Sequence, residues 1–102
     1  MTFTIQTDPQ NGILRLEGTF TFDGHPVFKA ATAAALEAGH PSLVLDLSEV
    51  SYMDSASLGM LLLLRERAQA KGMQVVLSRP SPTVMTILRV VQFGKLFDIR
   101  ES

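Results

Sequence analysis

The chain of 102 residues is predicted to form a single α/β domain: a mixed, mostly parallel sheet of about five strands with an N-terminal β-hairpin and three helices. Three observations predict this. The first twenty residues alternate apolar and polar around an Asn-Gly turn. Short apolar runs then alternate with segments of helical spacing. The length suits one domain with one modest core, covering residues 1–102.

Each element has its own signal. Phe3, Ile5 and Thr7 alternate with Thr4, Gln6 and Asp8, the period of a half-buried strand. Asn11-Gly12 supplies the hairpin turn. Ile13, Leu14 and Leu16 continue as a second strand ending near Gly18. Asp23-Gly24-His25-Pro26 reads as a helix start, because proline is tolerated in the first turn. Phe28, Ala31, Ala35 and Ala38 recur at helical spacing, and Gly39 closes that helix.

Leu43-Val44-Leu45-Asp46-Leu47 has the few polar breaks of a central strand covered on both faces. From Ser55 to about Lys71 good helix formers dominate, and Gly72 ends the run. Val75 to Leu77 make the next strand. Ser81-Pro82 is a cap followed by proline at the first helical position, and Val84, Ile87, Leu88 and Val91 form an apolar stripe before Gly94. Leu96 to Ile99 form a last short strand. The order β-β-α-β-α-β-α-β implies right-handed crossovers, with functional loops at the carboxyl ends of strands, after Leu16, Leu47 and Leu77.

Composition removes several classes of function. Without cysteine there is no disulfide, thiolate nucleophile or sulfur-rich zinc site. The two histidines, His25 and His40, are too few for a protein-only metal cage, so neither a metal nor a cofactor is expected. Nine basic residues against ten acidic ones leave no basic footprint for nucleic acid. The N-terminus has no secretory pattern, and the longest apolar run, Met60 to Leu64, is far too short to span a bilayer. A cytoplasmic protein is expected.

The chemistry concentrates in Ser48-Glu49-Val50-Ser51-Tyr52-Met53-Asp54-Ser55-Ala56-Ser57-Leu58-Gly59, read as the loop after the central strand and the start of the next helix. Asp54 or Ser55 is placed to cap that helix. A phosphoryl group on Ser55 or Ser57 would meet the helix dipole and its free amides, while Asp54 would oppose it by like charge. Ser55 therefore has two readings, a cap and a reversible phosphate acceptor. Apolar residues follow around more than a full turn. With Leu58, Leu61, Leu62 and Leu64 toward the sheet, Met60 and Leu63 are expected on the exposed side, as a partner surface; the alternative is that the last helix covers them.

The Asp54-Ser55-Ala56-Ser57-Leu58-Gly59 segment, after Leu43 to Leu47 and before Met60 to Leu63, resembles the signature of the STAS domain. The likeness is greatest to bacterial anti-sigma-factor antagonists and covers nearly the whole chain. In that family the serine after the aspartate is phosphorylated, which here is Ser55, with Ser57 the second choice. The resemblance implies that the unphosphorylated protein binds an anti-sigma factor that is also a serine kinase of the GHKL type, releasing a sigma factor. A PP2C-type phosphatase would reset it. The partner surface implied is Asp23, Asp54, Ser55, Ser57, Met60 and Leu63, with no membrane contact and a monomeric or weakly dimeric chain. Asp23 matches a commonly acidic position in the neighbouring loop. Many members carry a further helix after the last strand, and this chain stops at Ser102.

Two other functions compete with this one. STAS domains also serve as small subunits of lipid-trafficking ABC transporters, where the same helix face would dock an ATPase. A serine hydrolase using Ser55 or Ser57 with His25 or His40 lacks the Gly-x-Ser-x-Gly elbow and any base fixed beside the serine.

Overall fold

The computed structural model describes residues 3–101; Met1 and Thr2, part of the segment read for a secretory signal, lie outside them. Ten elements follow in order. They are β1 (Phe3–Asp8), β2 (Ile13–Phe20), a 3₁₀ turn (Phe22–Gly24), α1 (His25–Ala38), β3 (Ser42–Met53), α2 (Ser55–Ala70), β4 (Gln74–Ser78), α3 (Pro82–Val90), a second 3₁₀ turn (Phe93–Lys95) and β5 (Asp98–Arg100). The five strands lie in sequence order in one sheet. β1 and β2 are antiparallel, and every later pair is parallel. No helix among the described residues is long and apolar enough to cross a membrane.

The alternation of side chains along the strands builds one core. Leu14, Leu16, Leu43, Leu45, Leu47, Val75 and Leu77 share a face and pack with Phe28, Leu61, Leu64, Val84 and Leu88 from the three helices. Val44 is half-buried and Val76 lies outside that core, so the helices cover one face of β3 and not the two expected. Neighbouring parallel strands laid down in sequence order and joined by right-handed crossovers place their helices on the same side.

β2 and β3 outrun their expected ends, to Phe20 and Met53. β3 was expected to stop at Leu47, but it extends to Met53 through pairing with β2, from Glu17 opposite Glu49 to Phe20 opposite Met53. Two register irregularities, at Arg15/Glu17 and Gly18/Thr19, let the longer ribbon twist away from β4, which pairs only with Ser42 to Asp46. The Ser81 hydroxyl donates to the Val50 carbonyl at 2.6 Å, tying α3 to this extension. Most of the segment read as a loop is therefore strand.

In α1 the buried stripe is Phe28, Thr32 and Leu36, while Ala38 is exposed. Thr32 is tolerated inside because its hydroxyl donates to the Phe28 carbonyl at 2.8 Å. α3 stops at Val90, and Val91 is exposed rather than part of the apolar stripe. The last strand begins at Asp98, because Phe93–Lys95 form the second turn and the Phe97 amide donates back to the Phe93 carbonyl at 2.9 Å, the two rings 5.3 Å apart.

Candidate functional site

β2 and β3 end side by side, and each feeds a turn at the same edge of the sheet. β2 leads from Phe20 through Thr21 into the first 3₁₀ turn, and β3 leads from Met53 through Asp54 into α2. An aromatic column underlies the first of these turns. Phe3 stacks on Phe20 with centroids 4.8 Å apart, and Phe20 meets Phe28 at 4.9 Å. Gly24 sits against this column, since a Cβ there would lie 2.7 Å from Phe3 Cδ2.

Asp54 joins the two turns. It is extended and caps α2, with Oδ1 accepting from the Ser57 amide at 2.8 Å. Oδ2 accepts from the Phe22 amide at 3.1 Å, and the Asp54 amide donates back to the Phe20 carbonyl at 3.4 Å. The Ser57 amide, against modest desolvation and with help from the Phe22 amide, holds the carboxyl below its ordinary value of 3.8. One carboxylate thus satisfies the helix start and fixes the β2–α1 connection.

The two serines have opposite environments. Ser55 is exposed at the first helical position. Ser57 is fully buried, and its hydroxyl donates to the Asp54 carbonyl at 2.8 Å. Among the described residues the Ser55 and Ala56 amides donate to nothing outside the helix, so two donors of the first turn remain beside the Ser55 hydroxyl.

The phase of α2 corrects the expected surface. Ser57, Met60, Leu61, Leu64 and Ala68 face inward, so Met60 is buried instead of exposed and Leu62, 38% accessible, points outward. Leu63 is exposed at 47%, as expected. Ser55, Gly59 and Leu62 follow each other along the outer face, and among the described residues a Cβ at Gly59 would point into open space, which leaves the backbone there accessible to a partner. Asp23 is exposed on the first turn. Sequence reasoning missed Phe22, 69% accessible beside Asp23, and Tyr52, 49% accessible at the end of β3. The signal for Tyr52 was present: one position before buried Met53 on a strand, it must face the other way.

Asp46 is a mid-strand, mostly buried carboxylate, bonded to the Arg79 guanidinium and accepting from the Ser48 amide at 3.0 Å. Burial pushes its pKa up, but the Ser48 and Arg79 bonds outweigh that and lower it. His40 bonds the Pro9 carbonyl at the hairpin end, beyond the start of β3, while Ser55 follows the end of β3. The two cannot meet as base and nucleophile.

The family model described as "Mlab, STAS domain" matches residues 3–99. A STAS-domain containing protein of Pseudomonas aeruginosa (strain UCBPP-PA14) is 37% identical over 92 residues, covering 90% of each chain. An anti-sigma factor antagonist from Mycobacterium paratuberculosis superposes with a TM-score of 0.76 at 22% identity, over 99% of this chain and 86% of that one. The anti-sigma factor antagonist SpoIIAA, in its unphosphorylated form, gives 0.72 at 20% identity over 99% and 89%. Bacillus SpoIIAA in its phosphorylated form gives 0.67 at 18% over 96% and 90%. With its Asp-Ser helix start, hairpin-led sheet and near-complete family match, the chain belongs to the STAS-domain family.

Proposed function

We propose that this protein is an anti-sigma-factor antagonist switched by phosphorylation at Ser55. The unphosphorylated form binds an anti-sigma factor that doubles as a GHKL-type serine kinase, and a PP2C-type phosphatase restores it. The protein acts in the cytoplasm as a binding partner without chemistry of its own. The observation that carries this reading is the exposed Ser55 hydroxyl at the start of α2, with the neighbouring Ser57 hydroxyl sealed inside. Exposed Phe22, Tyr52, Leu62 and Leu63 lie on the elements around it and offer contact area. Support also comes from solved relatives in fold that are anti-sigma factor antagonists, one of them known in both phosphorylation states.

The size of the switch follows from charge. A phosphate adds about 1.5–2 negative charges. Burying it in an interface without basic partners costs several kcal/mol. A loss of about 2.7 kcal/mol is already a hundredfold in affinity. The ionised Asp54 beside Ser55 adds like-charge repulsion, so one modification is enough to exchange partners.

The test captures binding proteins from native cells on wild type and on Ser55→Asp, with phosphosite mapping of the protein isolated from the same cells. A GHKL kinase held by wild type and at least a hundredfold more weakly by the variant, together with phosphate on Ser55, is the expected result. Phosphate on another residue would move the site. A protein with Walker motifs held equally by both forms would replace this reading with ATPase docking.

A further inference from the structure

Beside the switch, α1 and α2 leave a groove between them whose cations the phosphorylation reading does not use. Its walls carry His25 and Lys29 from α1 and Arg67 from α2, and its apolar surface comes from Phe28, Met60 and Leu63. Among the described residues no acidic side chain lines it. Lys29 and Arg67 are both exposed, and among the described residues neither joins an ion pair. Elsewhere Arg15, Lys71, Arg79, Arg89 and Arg100 each have a carboxylate partner and Arg65 donates to the Leu96 carbonyl, so that among the described residues only Lys95 besides these two is left without either. Two unanswered cations thus flank a notch lined by buried Phe28 and Met60 and by the exposed Leu63.

The volume decides what kind of occupant fits. The notch holds about 50 Å³, against roughly 300–1,000 Å³ for pockets that enclose small ligands. It has room for the tip of one apolar side chain. We propose that the α1–α2 groove docks a segment of a partner protein that places one apolar anchor between carboxylates, the anchor entering at Phe28, Met60 and Leu63 and the carboxylates meeting Lys29 and Arg67. The charged end of this groove is separate from the switch, while Leu63 lies on the edge the two surfaces share. Arg67 lies twelve residues along α2 from Ser55, about 18 Å at the helical rise. That exceeds the roughly 8 Å screening length of physiological salt, so charge added at Ser55 leaves the Arg67 contact unchanged.

The experiment places a photo-crosslinking residue at exposed Ala33, one turn beyond Lys29, in the full chain in native cells, and at exposed Thr83 on α3 as control. The peptide attached through position 33 is sequenced. The expected peptide has an apolar residue flanked by Asp or Glu. Its yield falls at least tenfold in Lys29→Glu or Arg67→Glu, returns when a carboxylate of that peptide is changed to lysine, and stays the same in Ser55→Asp. Both substituted residues are exposed, and unchanged thermal midpoints verify that the variants fold. An attached peptide lacking carboxylates, a yield at position 33 no higher than at Thr83, or a yield indifferent to charge reversal overturns the proposal. Loss of the adduct in Ser55→Asp overturns the separation from the switch while leaving the phosphorylation reading intact.

Discussion

Replacing Asp54 by alanine tests whether one carboxylate holds two turns together. The substitution removes the acceptor for the Ser57 amide and for the Phe22 amide. Loss of an N-cap typically costs about 1 kcal/mol. Loss of an amide bond to a partly accessible carboxylate costs about 1 kcal/mol more. The expected total is about 2 kcal/mol, and at about 4–8 °C per kcal/mol the thermal midpoint falls by about 8–16 °C. Asp54→Ser separates the two contributions, because one hydroxyl oxygen can cap Ser57 but cannot also reach Phe22; it is expected to recover about half of the loss. The sign with pH follows from the lowered carboxyl. Asp54 stabilises the fold fully above its unfolded value of about 3.9, and the contribution disappears as pH falls through the lower folded value. Calorimetry from pH 7 to pH 2 therefore shows wild type and Asp54→Ala converging below about pH 4. Equal midpoints at pH 7, or a gap that persists in acid, refute the two-turn role.

Other perturbations test neighbouring statements. Ser55→Ala is expected to unfold within about 0.5 kcal/mol of wild type, whereas Ser57→Ala, which strips a buried hydroxyl from the Asp54 carbonyl, costs about 1 kcal/mol by chemical denaturation. Gly24→Ala forces the Phe3 ring off Phe20 and is expected to cost about 1–2 kcal/mol; Phe3→Leu beforehand should relieve most of it. Arg79→Ala leaves mostly buried Asp46 without its cation and is expected to destabilise by about 1–2 kcal/mol at pH 7. Protonating Asp46 in acid removes the need for that cation, so the Arg79→Ala penalty should shrink as pH falls below the ordinary carboxylate range.

Local patterning carried the element order. The alternation at Phe3 and Ile5, the turn at Gly12, the left-handed close of α1 at Gly39 and the Ser81 cap each have a local cause, and each is where the sequence put it. The length of β3 has no local cause. Ser48, Glu49 and Ser51 read as a polar loop, and they become strand because β2 pairs alongside and Ser81 bonds the Val50 carbonyl. The burial of Asp46 is non-local in the same way. Its partner Arg79 is thirty-three positions away and reaches it only once β4 lies beside β3.

The identity of the accessible serine turned on the phase of one helix. Five apolar residues in a row, Met60 to Leu64, fit any phase, so they could not orient α2 by themselves. Spacing the face by Leu58, Leu61 and Leu62 put Met60 outside. The small residues resolve the ambiguity. Ser57, Leu61, Leu64 and Ala68 recur at intervals of four, three and four, the stripe of a helix that packs closely on a sheet, and this stripe is the one buried. Once Ala68 anchors the phase, Ser57 must point inward and Ser55 outward, and Met60 falls beside Leu61 and Leu64 against the core. The cap then follows from geometry: with Ser57 turned inside, its amide is the one the Asp54 side chain reaches. The same rotation that hides Ser57 brings Leu62 out and leaves Leu63 at the boundary between the Ser55 face and the α1–α2 groove, so a single helical phase sets both surfaces on which a partner could act.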